Sequence, residues 1–535
     1  SRKLFEHYEA EAEQTGSGSS VNLLSDSSHV SFDGDFDNHG VLKRLNHDPM
    51  VKKLLAAPIL TCTVDHLIPA TEGTRGGRQI APMLRLMSSD LVLDEIDDFD
   101  LNDLPALTRL VHWAAMLGSR VLLSSATLPP ALVEGLFTAY CEGRKMYQQN
   151  RGEPGAPLDI CCAWFDEHES RHHNCATTSA LNEAHLAFVK KRYARLEQEK
   201  VRRLAELVTF APVSKKAQEI RAELAVVIQQ QALALHQSHH TVDPHSQKRI
   251  SFGLVRMANI EPLVDVALEL FTLGAAGCHI HLCVYHSQYP LLLRSNIENM
   301  LDNALNRREA MAVFDLPQIR QKIDQTDAKD QLFIVLGSPV TEVGRDHDYD
   351  WAIVEPSSVR SLIQLAGRIK RHRPETCEMP NLHILSHNLK ARERPSQPAF
   401  CKPGFENEKH RLNNHDLNTL LHPEQWRIID ARPRILPGPE LKWQENLVDL
   451  EHHRLQQTMV TNQPSEQPVE LSEDEIAKLS PRKRKQLNWA PKLPPLGAYT
   501  WYEQTQIQLT GLMDQCQRFR DDSTPRVELV LLPDE

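Results

Sequence analysis

The sequence predicts an α/β chain with two tandem parallel sheets, followed by a linker and a small C-terminal module. Three observations carry this reading. From Ile59 to Phe165, short apolar runs alternate with helix-patterned segments, as in a doubly wound parallel sheet. The alternation returns between Ser246 and Asn388. Between them, the pattern is mostly long helix. The division that follows is an N-terminal insert segment 1–53, a first sheet domain 54–178, a helical connector 179–245, a second sheet domain 246–394, accessory helices and linker 395–484, and a C-terminal domain 485–535.

Taken in order, Gln14–Gly40 is rich in Gly, Ser and Asp and reads as a surface insertion. "ILTCTV" is expected as a strand and "RQIAPMLRLMSS" as a helix, then "DLVLDE" as a strand and "LPALTRLVHWAAMLG" as a helix. "RVLLSS" precedes a helix starting after Pro129-Pro130, and "LDICCAWF" closes the first sheet. "NEAHLAFVKKRYARLEQEKVRRLAELV" and "KKAQEIRAELAVVIQQQALAL" read as long helices. The second sheet takes its strands from "RISFGLVRM", "HIHLCVYH", "QLFIVLGS", "WAIVEP" and "NLHILSH", with the helix "IEPLVDVALELF" after the first. Beyond Pro395 come proline-rich turns, and "TNQPSEQPVELSEDE" reads as a solvated linker. No internal repeat appears.

Composition narrows the class. Of 535 residues, 41% are hydrophobic, enough for real cores, yet no apolar run approaches the roughly 20 residues of a membrane helix. The first residues, "SRKLFEHYEAEAEQ", lack the apolar stretch of a secretion signal. Ten cysteines are scattered without CxxC spacing, which points to reduced thiols and a cytoplasmic protein. A net charge of −11 gives no global attraction to nucleic acid, so any such binding must use local basic tracks.

"SSDLVLDEIDDFD" (Ser88–Asp100) runs a buried-looking strand straight into acids. An acid pair at the carboxyl end of a parallel strand is where nucleotide-hydrolysing folds hold Mg²⁺ and aim a water. Asp94 would then hold the metal and Glu95 would polarise the water. The bland alternative is a helix N-terminus enriched in acids. About thirty residues on, "VLLSSATLPP" places Ser125 and Thr127 after a second strand, close enough to reach the acids, or simply capping a helix. In "SLIQLAGRIKRHRP", Gln364, Arg368 and Arg371 fall at i, i+4 and i+7. On one helix they would share a face, either an arginine finger for a γ-phosphate or a solvated basic stripe. Gly367 weakens a helix by about 1 kcal/mol and suggests close approach of another backbone or ligand.

With "DEID", "SAT" and "QLAGRIKR" in this order, the chain resembles a superfamily 2 helicase with two RecA-like domains. "CTVDHL", "VYHSQYPLLLRSNIE" and "SPVTEVGRDHDYDWAIVEP" narrow the resemblance to the helicase–nuclease of type I CRISPR systems, with features of the I-F subtype, over roughly Leu54 to Arg434. The resemblance implies ATP and Mg²⁺ as cofactors, an ATP site fed by both sheets, and 3′→5′ movement on single-stranded DNA. It implies that Asp97 links to Ser125 and Thr127, that Thr63 and Asp65 hold the DNA backbone, and that Gly344 and Asp346 couple ATP to DNA. Ser338 stands where the family usually has Thr, and Arg345 where it has an apolar residue. The family's phosphate loop and HD nuclease motif lie before the acid strand. The first sheet is therefore expected to be incomplete, with an N-terminal half carrying both. Further implied partners are the crRNA-guided surveillance complex, adaptation subunits and phage inhibitors, with no membrane. The rival reading is a non-catalytic docking module that binds one of these partners.

Several segments need weighing apart from these. "HESRH" (His168–His172) matches the zincin HExxH pattern, and Cys161, Cys162 and Cys175 nearby are candidate ligands for a structural zinc. The surrounding segment is polar and lacks a clear third zincin ligand. Asp65-His66 and Asp346-His347 reverse the order of an HD nuclease pair. "KKRYAR" (Lys190–Arg195), with Tyr193 to stack on a base, and "PRKRKQ" (Pro481–Gln486) are the main basic clusters.

Overall fold

A computed structural model describes residues 54–55, 57–72, 79–275, 277–342, 345–373, 375–461 and 519. The insert Gln14–Gly40, the linker after Thr461, the C-terminal domain apart from Phe519, Pro481–Gln486 and Gly344 therefore lie outside the described residues. The chain divides into two compact units, Val189–Arg454 forming one and the residues on either side the other.

In the first unit, β1 (Leu91–Asp94) pairs in parallel with β2 (Val121–Ser124). Around them stand α1 (Ile80–Ser88), α2 (Leu104–Leu117) and α3 (Pro130–Arg151). Apolar residues recur all round α2, and Ala106, Leu107, Leu110, Ala114 and Ala115 are all fully buried. Helix α3 approaches it closely at Gly143, where a Cβ would lie 2.3 Å from the His112 carbonyl oxygen.

Two expected strands of this unit are not part of its parallel sheet. "ILTCTV" is irregular and leads into a 3-10 turn at Val64–His66. Pro58 lacks a ladder donor, and Ile59 is 87% exposed. "LDICCAWF" does contain β3 (Ile160–Phe165), but it pairs antiparallel with β4 (Ser170–Cys175) in a separate hairpin. The cause is the turn. Asp166 Oδ1 accepts from the amides of His168 at 2.8 Å and Glu169 at 2.7 Å, folding the chain back within four residues.

After α4 (Thr178–Gln198), the second unit begins its sheet earlier than expected. The tail "LAELV" of the supposed long helix is β5 (Ala205–Val208), in the segment read as a helical connector. A short, mostly apolar end of a helical pattern such as "AELV" looks the same as a short strand. Helix α5 (Ala217–His239) follows, then the two-residue β6 (Thr241–Val242), β7 (Arg249–Arg256), α6 (Ile260–Leu273), β8 (Cys278–Tyr285) and α7 (Leu291–Ala304). The remaining elements used below are α8 (Pro317–Asp324), β9 (Asp330–Gly337), β10 (Trp351–Val354), α9 (Val359–Ala366), β11 (Leu382–Leu385) and α10 (Leu447–Met459).

The sheet order is β5-β11-β10-β7-β9-β8, with β6 added on β7. Every neighbour on the main path is parallel, and β6 alone runs antiparallel. Parallel strands covered on both faces read as continuous apolar runs, and from Ile250 to Arg256 every residue of β7 is buried. Helix α5 places Ile220, Leu224, Ile228 and Ala232 at four-residue spacing, all buried against this sheet. Trp351 fills the space left by Gly253, where a Cβ would meet its ring at 2.2 Å, and its Nε1 donates to Ser251 Oγ at 3.1 Å.

Candidate active site

The first unit assembles its acids at the carboxyl ends of β1 and β2. Parallel pairing sets Asp94 opposite Ser124, so the loops that follow both strands emerge side by side. Glu95 N–H donates to the Ser124 carbonyl at 2.7 Å. Its backbone then turns left-handed, with φ of 50°, a conformation non-glycine residues adopt rarely and mostly at functional turns. Asp94 is exposed and Glu95 half-buried. Ser125 Oγ donates to Glu95 Oε2 at 3.2 Å, and Thr127 Oγ1 donates to Asp97 Oδ2 at 2.6 Å. Asp97 and Thr127 are both buried.

This divides the contacts differently from the implied Asp97 link to both hydroxyls. A hydroxyl has one proton to give, and Ser125 gives its proton to Glu95. Thr63 is exposed at the start of the 3-10 turn, and Asp65 is half-buried within it.

The second unit gathers its candidates where the chain leaves α9. Ser358 Oγ caps the helix by accepting from Ser361 N–H at 3.1 Å. The helix ends at Ala366, with Gly367 as its C-cap, and Lys370 turns left-handed at φ 50°. Gln364 is therefore helical, but Arg368 and Arg371 are not, and the expected shared helical face does not form. Gly367 ends the helix where the sequence pattern alone would have continued it.

Arg368 turns inward. Its Nε and Nη2 donate to the Glu342 carbonyl at 3.0 and 2.7 Å, and its Nη1 donates to the Arg345 carbonyl. Arg371 is 42% exposed and pairs through Nε with Asp346 at 2.5 Å. Asp346 also meets Arg308 Nη2 at 2.7 Å and His372 Nε2 at 3.1 Å. Burial alone would raise its carboxyl, but hydrogen bonds from Arg371 and His372 bring it down to about 2. Ser338 is buried, with its carbonyl accepting from the Thr341 hydroxyl at 3.0 Å. Arg345 lies between Glu298 at 2.5 Å and Asp302 at 3.1 Å, so its charge is spent on α7.

Sequence reasoning missed the buried charges behind this loop. Glu342 pairs with Arg256 Nε at 2.6 Å and accepts from Ser361 Oγ at 2.7 Å. Burial pushes its carboxyl up, against the pull of Arg256 and Ser361. Glu355 accepts from the backbone amides of Ala258 at 2.6 Å and Leu389 at 2.8 Å. Asp350 is held by Arg307 at 2.8 Å and Arg373 at 2.6 Å. The available signal was a charge at the end of an apolar run, such as Arg256 closing "ISFGLVR".

The weighed segments resolve differently. His168 sits in the hairpin turn and His172 on β4, so the helical i, i+4 geometry of a zincin does not form. Among the described residues, no three of Cys161, Cys162, His168, His172 and Cys175 bring ligand atoms within 4.8 Å of one another. Tyr193 has the Arg432 guanidinium over its ring at 5.7 Å, so one face is already taken. Among the described residues, no helix is long and apolar enough to cross a membrane.

Residues 249–374, from β7 through the arginine loop, match the family model described as CRISPR-associated nuclease/helicase Cas3, C-terminal. Over 100% of its length the chain is 48% identical to the CRISPR-associated nuclease/helicase Cas3 subtype I-F/YPEST of Pseudomonas aeruginosa (strain UCBPP-PA14). This chain is a relative of the Cas3 nuclease/helicases. The corresponding protein of Pectobacterium atrosepticum is 47% identical over 86% of the chain. The match covers 47% of the Pseudomonas Cas3 and 42% of the Pectobacterium one, so the chain spans less than half the length of either. Among solved structures, T. fusca Cas3-AMPPNP aligns with 63% of this chain and 34% of its own, at 20% identity and a TM-score of 0.41. The I-F resemblance read from the sequence is borne out by the two curated relatives.

Proposed function

We propose that this chain is the motor portion of an ATP-dependent helicase–nuclease that translocates on single-stranded DNA and degrades invading DNA in CRISPR defence. The observation that carries the reading is the acid–hydroxyl set closing β1 and β2. Asp94 is exposed at a strand end, Glu95 is fixed in a left-handed turn by its backbone, and Ser125 and Thr127 reach across to Glu95 and Asp97. Mg²⁺ usually keeps several waters and takes one or two carboxylates plus phosphate oxygens, and an exposed Asp94 fits that demand. Bound Mg²⁺–ATP would supply the electrophilic γ-phosphate. Glu95 then orients the attacking water, and Ser125 and Thr127 report on the charge at the acids. In the second unit, Arg368 and Arg371 stabilise charge developing on the phosphate, with Gln364 on the helix that precedes them. Gly344, Asp346 and Ser338 lie in the segment that ties hydrolysis to DNA, and Thr63 and Asp65 grip the DNA backbone. The names of the relatives, nuclease/helicase, support this class, and a crRNA-guided surveillance complex is the partner that would recruit the motor.

The test is Glu95→Gln in the full-length polypeptide. The amide keeps shape but not basicity, so ATP binding should persist while DNA-stimulated hydrolysis falls by at least about 10². Turnover near wild type would refute the assignment.

A further inference from the structure

We propose that Glu451, in the accessory segment beyond the second sheet, is a positioning residue for the Arg368–Arg371 loop. The inference rests on the role given above to those two arginines.

Glu451 lies on α10 and is completely buried. Its Oε1 accepts from Val359 N–H at 2.5 Å and its Oε2 from Arg360 N–H at 3.3 Å, the first two amides of α9. First-turn amides have no partner within their own helix, and their partial positive charge favours a carboxylate. Arg434, also fully buried, donates Nη1 to Glu451 Oε2 at 2.9 Å. Phe405 lies beneath both neighbouring cations, 5.2 Å from the Arg360 guanidinium and 5.5 Å from that of Arg434.

From this anchor a continuous set of contacts reaches the arginine loop. Ser361 N–H is held by the Ser358 hydroxyl, and Ser361 Oγ donates to the Glu342 carboxylate at 2.7 Å. The Glu342 carbonyl then receives the Arg368 guanidinium at 2.7 Å. Packing α10 onto this unit would not by itself need an ion here, because a buried ion pair is often no more stabilising than an apolar pair of the same shape. What the carboxylate adds is direction. It accepts along the axis of α9 and fixes how far that helix slides, and therefore where the loop leaving its other end stands.

The experiment measures ATP turnover stimulated by single-stranded DNA in the full-length polypeptide carrying Glu451→Gln, Ser358→Ala or Arg371→Ala, and in the pairwise combinations with Arg371→Ala. Ser358→Ala perturbs the same helix start more gently and carries the test if Glu451→Gln melts early. Mispositioning of a reacting group by about 1 Å costs up to roughly 10²-fold, so each helix-start variant should lower kcat by roughly tenfold or more while KM for ATP holds. Arg371→Ala alone should lower kcat by about 10³. The combined variants should then lose clearly less than the product of the single losses, because a misplaced Arg371 and an absent one are the same loss and only the displacement of Arg368 is added. Multiplying losses, or unchanged kcat in a folded helix-start variant, would overturn the positioning role. Normal turnover in Arg371→Ala would instead overturn the arginine assignment, and this inference with it.

Discussion

At the scale of single residues, the chemistry of the site rests on where charges are left exposed and where they are locked away. Asp346 is the clearest case. Its carboxyl sits near 2 despite partial burial, because Arg371 and His372 donate to it. A carboxyl depressed on folding contributes stability above its unfolded pKa of about 3.9 and loses that contribution as pH falls through the folded value. The window here runs from about pH 4 down to about pH 2. Asp346 is 48% exposed, so solvent screens the pair and its worth at neutral pH is at most about 1 kcal/mol. Thermal melts of wild type and Asp346→Asn should differ slightly at pH 6 and converge as pH drops below 4. A gap that does not change with pH would show that Asp346 acts by packing. Some of this scale was legible in the sequence. Asp94, Glu95, Ser125 and Thr127 announce themselves because polar residues end apolar runs, and their contacts follow from strand register. Glu342 and Glu451 did not, since a buried carboxylate is recognised only by the amides and guanidinia around it. Those partners come from positions as far apart as Arg256 and Arg434.

At the scale of elements, the strong alternations became strands and helices in place, and the misreadings came from turns and ends. The hairpin β3–β4 was invisible because a single Asp166 side chain decides that the chain reverses. The strand β5 was hidden at the end of a charged helical pattern, where only pairing with β11 distinguishes it. The arginine helix was read as too long, and Gly367 is where it stops. Packing between elements is close at β7, where Gly253 leaves room for Trp351 from the neighbouring strand β10. Gly253→Ala would drive a methyl into that ring, and overpacking of this kind costs about 1–3 kcal/mol. The expected outcome is a lower melting temperature with the sheet intact by far-ultraviolet circular dichroism. An unchanged melting temperature would mean the Trp351 ring can move aside.

At the scale of the whole molecule, the candidate residues are divided between the units. Asp94, Glu95, Asp97, Ser125 and Thr127 lie in one, and Ser338, Asp346, Gln364, Arg368 and Arg371 in the other. No GxxxxGK[ST] run occurs in the 535 residues. In P-loop enzymes that run forms the cradle that supplies backbone amides and a lysine to the β- and γ-phosphates. In the proposed function, Arg368 and Arg371 act only on a phosphate that such a cradle has already positioned. The most direct measurement is therefore ATP hydrolysis, with single-stranded DNA present, by this chain alone and by the chain mixed with the part of the Pseudomonas Cas3 that it does not cover. The account predicts no turnover above background from the chain alone and DNA-stimulated turnover from the mixture, removed again by Arg371→Ala. Hydrolysis by the chain alone, or a mixture indifferent to Arg371→Ala, would contradict it.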